Sequence, residues 1–555
     1  MNKKVRDFVK DWFPRVIPWA VLVVGLYFVV IRWFGPRMSL MPGDLGDARF
    51  NNFVLEHFFQ WCTGRISSYW DAPIFYPNPN TFAFSDAMLG SAPFYVLLRL
   101  AGLDRDSAFQ GWYLLGFVLN YLAAAFVLKR LKLHPLAISA GAFLFTFGLP
   151  VLAQAGHAQL FYRFGIPLTC YYMWEFSQRP KLRALTLAVC WFAWQFALSI
   201  YQGFFLSLLL MPLLVMFPLT EARGKLKPYL MFWPAKLKQA WSNAGGSQRV
   251  LNGLGLLAAA AGLMVVLVPY MRVAAQYGFR RQWFEIITML PSWKSYLLAD
   301  RSPFWAAVSR QIPNQTMRHE QQLFPGIAAG VLILTGLFWK TPNKNRQIAF
   351  FNLWAAAFLV LVTFSINGAS IYQLAFSLPG FNSIRAVSRI ILCMLWPLSV
   401  FIAVVLHQMV VSPHRKVFST SLAIIIFCLL ASESMLFKPV TYPKSLGVER
   451  LAALQAKLPA DLPPDAILAF NTDNNEAWYL TELDAMLLGQ ESGFAIMNGY
   501  SGNFPAGYGD PLSSCKQIRR RISAYLNLTN SVSDKNYAQL ARRVVPIGLS
   551  DCGSK

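Results

Sequence analysis

Eleven apolar stretches, each close to the length needed to cross a lipid bilayer, occur between the N-terminus and residue 437. A transmembrane helix needs roughly 20 apolar residues, and its backbone polar groups must be bonded within the segment. With 55% hydrophobic and 14% charged residues, the chain is too apolar for an ordinary soluble protein of its length. We therefore predict a mainly α-helical, polytopic membrane protein. The expected spans are residues 16–34, 111–128, 136–153, 158–175, 184–201, 203–219, 251–270, 324–339, 348–364, 390–408 and 417–437.

The formal net charge is +24, but the positions of the basic residues do not indicate a nucleic-acid partner. The basic clusters precede the first span and then occur in every second connection. Cytoplasmic loops are enriched in lysine and arginine, and this bias sets the orientation of a membrane protein. We expect a multi-pass protein among the lipids of a bacterial inner membrane, with its N-terminus cytoplasmic and its C-terminal region periplasmic. The clusters lie at residues 3–15, 129–132, 179–183, 223–249, 340–346 and 415–416.

The composition changes near residue 438, where long apolar runs give way to turn-forming and charged residues. This change predicts a transmembrane domain over residues 1–440 and a small soluble α/β domain over residues 441–555. Cys515 and Cys552 are the two cysteines of that second domain. Because an external compartment is oxidising, we predict that they form a disulfide.

The first external connection, residues 36–110, begins with a dense polar segment. Two carboxylates, a guanidinium and two amides lie between Asp44 and Asn52. Charged groups beside a bilayer are costly and usually functional, so the segment indicates a polar reaction chamber at the membrane surface. Further along this connection, residues 87–103 are apolar but are interrupted by a proline and an arginine. They predict a helix that lies in the membrane interface and does not cross the bilayer.

The loop pattern and four segments resemble the GT-C superfamily of integral-membrane glycosyltransferases, in an uncharacterised bacterial branch. The resemblance implies a sugar donor linked to polyprenyl phosphate and an inverting transfer on the outer side of the membrane. The acceptor could be a glycan, a glycolipid or a protein. The four segments are GDARFNNFVLEH (46–57), GHAQLFYRFGIPL (156–168), LPGFNSIRAVSR (378–389) and NGYSGNFPAGY (498–508).

The resemblance also implies that an acidic residue of the first external loop lies at the reaction centre. Asp47 and Asp44 are the positions that match, and Asp47 is preferred because Arg49 and Asn51 follow it at positions suited to bind sugar hydroxyls. The alternative is that Asp47 or Asp44 caps the helix that follows, since aspartate is a favoured N-cap residue. Asp86 is a third catalytic candidate, with capping of the interfacial helix as its alternative.

Glycosyl transfer from a lipid phosphate needs a base near the acceptor hydroxyl and cationic groups around the leaving phosphate. His157 lies in a short external loop, and Arg318 precedes the eighth span. Arg385 and Arg389 are spaced i,i+4, which predicts one helical face entering the membrane. Because arginine binds phosphate with two parallel hydrogen bonds, we predict that these four residues bind the donor phosphate. Contact with phospholipid headgroups is the alternative for the arginines.

Two further residues are predicted to contact the sugar or the acceptor. These are Glu320, next to the Arg318-His319 pair, and Trp70, an aromatic residue near the acidic loop. Packing in the membrane belt is the alternative for Trp70. The glycine- and tyrosine-rich segment 498–508 either covers the active site or forms a structural turn. A divalent cation held by Asp47 and Asp86 is possible, although no tight ligand spacing favours it, and we predict no other cofactor.

Three other functions are weighed against glycosyl transfer. A transporter would place ionisable residues inside its spans, whereas these spans are nearly free of charge apart from Arg163. A nucleotide-sugar enzyme is disfavoured because the cytoplasmic side has no glycine-rich phosphate loop. A non-catalytic scaffold for envelope polysaccharide stays open, and it would tolerate the loss of Asp47.

Overall fold

The computed structural model describes residues 16–222, 225–313, 315–338, 343–411, 416–472, 475–549 and 552. Within these residues, eight helical segments are long and apolar enough to cross a membrane, which confirms a multi-pass, mainly α-helical membrane protein. They are Val16–Phe34, Arg105–Arg130, Pro135–Ala153, Ile200–Ala222, Gly246–Tyr277, Asn345–Thr363, Val387–Val411 and Val417–Met435.

The other three predicted spans correspond to shorter helices. They are Gly165–Gln178, Leu182–Leu198 and Ile327–Phe338. The predicted span at residues 158–175 was wrong at its start, because that part of the chain forms a 3-10 turn, Ala158–Leu160, and a loop before the helix begins at Gly165. The first half of that predicted span therefore connects two helices.

The first ten helices belong to the N-terminal half and include the helix of the acidic loop. They are α1 (Val16–Phe34), α2 (Asp47–Cys62), α3 (Ala92–Leu100), α4 (Arg105–Arg130), α5 (Pro135–Phe147), α6 (Leu149–Ala153), α7 (Gly165–Gln178), α8 (Leu182–Leu198), α9 (Ile200–Ala222) and α10 (Leu226–Ser242).

The remaining helices follow in the second half. They are α11 (Gly246–Tyr277), α12 (Trp283–Ile287), α13 (Ala306–Gln311), α14 (Ile327–Phe338), α15 (Asn343–Thr363), α16 (Ile391–Val411), α17 (Lys416–Met435), α18 (Lys444–Gln455), α19 (Tyr479–Ser492), α20 (Cys515–Leu528) and α21 (Asp534–Arg543).

Helix α16 is the centre of the membrane part, whereas α11 lies at its edge. In the apolar 18-residue stretch of Val387–Val411, 94% is buried, and the segment packs against α5, α14, α15 and α17. In the corresponding stretch of Gly246–Tyr277, only 11% is buried. Since both are apolar around their whole circumference, α16 is a core helix, and the apolar surface of α11 is suited to face lipid.

The connection between α1 and α4 folds back on the membrane part as helices and ordered loop. The predicted interfacial helix is present as α3, which has nine residues and is too short to span a bilayer. Arg99 at its end forms two hydrogen bonds with the buried carboxylate of Glu56 on α2, at 2.9 and 3.0 Å. This pair holds α3 against α2.

The chain beyond residue 440 forms an α/β region around a three-stranded parallel sheet. The strand order is β6-β5-β7, and the helices α19, α20 and α21 accompany the sheet. Cys515 and Cys552 are joined by a disulfide, which confirms the predicted pairing. The strands are β1 (Leu40–Pro42), β2 (Ser365–Ile366), β3 (Ala369–Ser370), β4 (Thr441–Pro443), β5 (Ile467–Phe470), β6 (Ala495–Ile496) and β7 (Val544–Ile547).

This C-terminal region is joined to the connection between α1 and α4 by backbone and side-chain contacts. Strand β4 pairs with β1 in antiparallel register. Ile496 of β6 exchanges backbone hydrogen bonds with Pro73 and Tyr76 at 2.8 and 3.0 Å. Arg49 and Asp484, both almost fully buried, form an ion pair at 2.6 Å between α2 and α19. These contacts place the C-terminal region directly over the start of α2.

Candidate active site

Asp47 is the first residue of α2. The N-cap residue is Gly46, and no side chain caps α2, so the capping alternative for Asp47 was wrong. Asp47 Oδ2 lies 2.7 Å from His157 Nδ1, and Asp47 Oδ1 accepts a hydrogen bond of 2.6 Å from the Tyr500 hydroxyl. The side chain is 27% exposed. A carboxylate oriented by two donors thus remains accessible from solvent.

His157 connects Asp47 to a second, buried carboxylate. Its Nε2 lies 3.2 Å from Glu320 Oε1, while its Nδ1 contacts Asp47. Glu320 in turn accepts two hydrogen bonds from Arg389, at 2.6 and 3.0 Å. The side chains of Glu320 and Arg389 are 3% and 8% exposed. Arg389 Nη2 also lies 3.0 Å from His157 Nε2. Asp47, His157, Glu320 and Arg389 thus form one contiguous group of two carboxylates and two basic side chains, which we call the Asp47 cluster.

Electrostatics in the Asp47 cluster keep its members ionised at neutral pH. Burial raises the pKa of Asp47, but the hydrogen bond and charge of His157, with the Tyr500 hydroxyl, lower it to about 2. Burial and Arg389 lower the pKa of His157, whereas Glu320 and Asp47 raise it to about 9. Burial alone would raise the pKa of Glu320, but Arg389 and His157 outweigh it and hold that pKa well below its ordinary value. Burying these charges is tolerable because each is paired.

Four chain segments that are distant in sequence converge to build this cluster. Asn51, one turn into α2, donates to the Gln159 side chain at 2.8 Å, which holds the His157 loop beside α2. Arg389 lies in a 3-10 turn, Val387–Ile390, that opens the segment leading into α16. Asn51 therefore holds the His157 loop in position, and this contact explains the location of the Asn51 side chain without a bound sugar.

A second cationic group lies next to the cluster. The Arg281 backbone N–H donates to the Asn382 carbonyl at 3.1 Å, so the segments carrying Arg281 and Arg385 adjoin. Burial, followed by the charge of Arg385, lowers the pKa of Arg281, and Arg385 is exposed. Tyr201 lies close to both Arg281 and Arg389. Its phenol interacts electrostatically with Arg281, and the Arg389 guanidinium lies 5.2 Å from the centre of the Tyr201 ring. We call Arg281 and Arg385 the arginine pair.

The predicted helical face shared by Arg385 and Arg389 was wrong. Arg385 precedes the 3-10 turn and lies in a bend, whereas Arg389 is inside the turn. Arg385 is exposed, and Arg389 is buried against Glu320. The proline and glycine at positions 379 and 380 are a sequence signal that the helix begins later. Arg281 was missed because nothing in the sequence distinguishes it from the other basic residues of its loop.

Several predicted site residues have other contacts. Arg49 is 4% exposed and pairs with Asp484, so its guanidinium is not available to a sugar. Arg318 forms two hydrogen bonds with Asp300, at 2.7 and 2.8 Å. Trp70 packs edge-on against the Tyr69 ring at 4.9 Å. The predictions that these residues contact donor or sugar have no support in their positions.

The other two carboxylates also have structural partners. Asp44 accepts from the Gly46 backbone N–H at 3.1 Å and stabilises the turn before α2. Asp86 accepts from the backbone N–H groups of Met88 at 3.3 Å and Ile200 at 3.0 Å. It thus fixes the connection between α1 and α4 to the start of α9, and it does not cap α3. Burial raises the pKa of Asp86 to about 6, against the effect of these hydrogen bonds.

The described residues contain no group of three or more His, Cys, Asp or Glu side chains that could hold a metal ion. The Asp47 oxygens are engaged by His157 and Tyr500, and those of Asp86 by backbone N–H groups. Asp47 and Asp86 therefore contact different partners, and a cation shared between them stays an untested prediction.

The fold is similar to that of solved structures, among them an arabinofuranosyltransferase, while no family model and no curated protein matches the sequence. The cryo-EM structure of arabinofuranosyltransferase AftD from Mycobacteria aligns over 91% of this chain and 34% of its own, with a TM-score of 0.50 and 13% identity. The oligosaccharyltransferase AglB from Archaeoglobus fulgidus, solved with an inhibitory peptide and a dolichol-phosphate, aligns over 96% and 70%, with a TM-score of 0.49 and 12% identity. The chain spans about a third of AftD, and the likeness to AftD confirms a GT-C-like fold.

Proposed function

We propose that this chain is a membrane glycosyltransferase that transfers a sugar from a polyprenyl-phosphate-linked donor to an acceptor hydroxyl on the periplasmic side, with inversion. The observation that carries the proposal is the oriented, accessible carboxylate of Asp47 beside a cationic group at the external end of a GT-C-like membrane fold. AftD, a GT-C protein, is named for the transfer of a sugar, arabinofuranose. The cluster explains why such chemistry is possible here.

In the proposed step, the acceptor oxygen bonds to the anomeric carbon of the donor sugar. The bond between that carbon and the phosphate oxygen breaks, and the phosphate leaves with the electron pair. The proton of the acceptor hydroxyl passes to Asp47 and is then lost to solvent. A single displacement of this kind inverts the configuration at the anomeric carbon.

The low pKa of Asp47 fits a late proton transfer. A carboxylate with a pKa of about 2 is a weak base towards an ordinary hydroxyl, because efficient bases titrate near the working pH. An oxygen that has begun to bond to an electron-poor anomeric carbon is much more acidic, as in oxocarbenium-like glycosyl transfer. Asp47 stays ionised at every physiological pH and can accept the proton at that stage. The His157 imidazolium holds the carboxylate in place and stabilises its charge.

The arginine pair is better suited to bind the donor phosphate than Arg389. The charge of Arg389 is balanced by two hydrogen bonds to Glu320. In contrast, Arg385 is exposed, and the Arg281 guanidinium has a loose ion pair with Glu285, at 3.9 Å, and a hydrogen bond to the neutral Gly502 carbonyl. Two like charges near each other are stabilised by an anion between them. Arg281 and Arg385 would bind the phosphate and stabilise it as it leaves, and Arg389 would position His157.

Donor exchange tests the proposed reaction. The full chain is reconstituted in proteoliposomes and given polyprenyl-phosphate-linked mannose, glucose, galactose or arabinose, with total envelope glycan as acceptor. We expect one of these donors to support transfer, with one polyprenyl phosphate released per sugar and an anomeric configuration opposite to that of the donor. Transfer that runs equally well from nucleotide sugars, or that retains the configuration, contradicts the proposal.

A further inference from the structure

Four aromatic side chains of the C-terminal region form a continuous cluster beside Asp47. Trp478 is the hub, with ring-centroid distances of 6.1 Å to Tyr479, 6.0 Å to Tyr500 and 5.9 Å to Phe504. Tyr479 and Tyr500 are 5.8 Å apart. We call these four residues the aromatic platform. They come from two segments, the start of α19 and the loop after β6, so the fold brings them together.

The aromatic platform reaches the Asp47 carboxylate directly. Tyr500 donates its hydroxyl to Asp47 at 2.6 Å. The Tyr479 ring packs against Gly46, the residue before Asp47. A ring carbon lies 3.1 Å from the point where a side chain at Gly46 would place its Cβ. Trp478, the hub of the platform, is 40% exposed, so its ring is accessible from solvent. Because Tyr500 contacts both Trp478 and Asp47, a ligand lying on Trp478 would extend towards the carboxylate.

The loop that carries Tyr500 also contacts the cationic side of the site. Two residues further on, the Gly502 carbonyl accepts a hydrogen bond from Arg281, a member of the arginine pair. Asp47 thus lies where an aromatic surface meets a cationic one. A phosphate would bind the guanidinium groups rather than the aromatic rings, because aromatic rings carry no positive charge to balance it. The aromatic platform is left for a ligand that is uncharged and has an apolar face.

We propose that the aromatic platform is the acceptor subsite and that its ligand is a carbohydrate chain. This inference rests on the proposed function and adds the class of acceptor. A sugar ring has an apolar C–H face that can lie on an indole or phenol ring, and hydroxyl groups at its edge that tyrosine can bond. The hydroxyl to be glycosylated replaces the Tyr500 hydroxyl at Asp47 Oδ1, and Tyr500 then bonds a neighbouring sugar oxygen.

Ordinary packing explains this arrangement less well. Tryptophan buries most of its surface in a typical protein, and a tryptophan that only anchored a loop would be covered. Trp478 touches three aromatic rings and still exposes 40% of its surface. Exposed aromatic patches rimmed by polar groups are typical of binding sites, where tryptophan and tyrosine contribute much of the affinity.

Carbohydrate binding without donor tests this inference. The detergent-purified full chain is mixed with hexasaccharides of mannan, arabinan, glucan or galactan, or with unstructured peptides, and saturation-transfer NMR records which ligand protons contact the protein. We expect one oligosaccharide to bind through its ring C–H protons and the peptides not to bind. Trp478→Ala should weaken this binding about tenfold, as for a binding hot spot, and Trp478→Tyr should retain most of it.

The matched control is Trp293→Ala, which removes a tryptophan that is 59% exposed in another external connection and should leave binding unchanged. Binding of peptides only, of no oligosaccharide, or of an oligosaccharide with equal affinity for Trp478→Ala overturns the inference. The readout is independent of catalysis. Carbohydrate binding that depends on Trp478 in a protein that transfers no sugar would refute the proposed function alone. Transfer with an acceptor KM unchanged in Trp478→Ala would refute the inference alone.

Discussion

At the residue scale, the imidazole of His157 is the group whose protonation couples the two carboxylates of the cluster. It lies 2.7 Å from Asp47 and 3.2 Å from Glu320. Both carboxylates favour the imidazolium, and this raises the pKa of His157 to about 9 despite burial and the charge of Arg389. The stability gained from these pairs is complete below the ordinary histidine pKa of about 6.5 and is lost as pH rises through about 9.

This titration predicts an alkaline limb in the rate of transfer. We expect kcat/KM of the wild-type protein to fall above pH about 9, because neutral His157 no longer stabilises the charges of Asp47 and Glu320. His157→Gln should be slower and should lack that limb. The check is the pH–rate profile of both proteins under the same assay. A wild-type limb that persists in His157→Gln would mean that another group titrates.

The buried pair of Glu320 and Arg389 predicts a large effect on stability. In Glu320→Gln, the Arg389 guanidinium loses its charged partner while it stays buried. Removing one member of a buried ion pair costs about 3–5 kcal/mol, so the unfolding temperature in detergent should fall clearly. The control is Asp510→Asn, which breaks the exposed pair with Arg520, both side chains more than 60% exposed. That pair should contribute little, and equal unfolding temperatures for the two variants would contradict the argument.

Residue types and loop positions were enough to predict Asp47, His157, Glu320 and Arg389 as candidates, but not their contacts. Glu320 was expected to contact sugar, and it instead neutralises Arg389. Arg49 was also expected to contact sugar, and its guanidinium pairs with Asp484, which lies 435 positions further along the chain. A single sequence carries no information on which of several cations a carboxylate will meet, because that depends on packing of distant segments.

At the scale of elements, the loop between α11 and α12 and the loop before α16 supply the cationic side of the site. Arg281 follows α11, and Arg385 precedes the turn into α16. Helical periodicity predicted that Arg385 and Arg389 share a face, but the helix does not extend back to Arg385. Apolar runs and their lengths predicted the long helices well, because the requirement for continuous hydrophobic residues is strict in a membrane. No comparable requirement fixes the backbone conformation of a loop, so the positions of Arg281 and Arg385 could not be predicted from the sequence.

The arginine pair predicts a specific change in donor use. Arg281→Ala and Arg385→Ala should each raise the KM for the lipid-linked sugar about tenfold, since a charge-assisted hydrogen bond is worth about 1.5–3 kcal/mol. Arg301→Ala is the control, because Arg301 is exposed in the same external connection as Arg281. Steady-state kinetics with varied donor measure the effect. An unchanged donor KM in both variants would exclude the pair as the phosphate site.

At the scale of the whole molecule, the C-terminal region completes the site. Tyr500 meets Asp47 across 453 positions of sequence, and Ile496 bonds the loop at Pro73. The change in composition near residue 438 predicted a separate α/β region and its disulfide. It could not predict that this region lies on α2, since that docking depends on complementary surfaces rather than on local patterns.

The proposed topology predicts which surfaces are accessible from outside the cell. With Cys62 and Cys428, which are exposed, replaced by serine, Ser533→Cys should react with an impermeant thiol reagent in intact cells whose outer membrane admits it. Ser242→Cys, at the last residue of α10 in the basic segment 223–249, should react only after lysis. Both serines are exposed. Labelling with the reverse pattern would place the Asp47 cluster on the cytoplasmic side.

The most direct measurement of the central claim is sugar transfer by purified Asp47→Asn, reconstituted with the lipid-linked donor that supports transfer by the wild type. Asparagine keeps the shape of the side chain and can still accept from Tyr500, but it cannot take the acceptor proton. We expect the unfolding temperature to change by only a few degrees and transfer to fall by about 10² to 10⁴, the usual contribution of general base catalysis. Asp534→Asn, which changes an exposed carboxylate on α21, should transfer at the wild-type rate. Full transfer by Asp47→Asn would contradict the account.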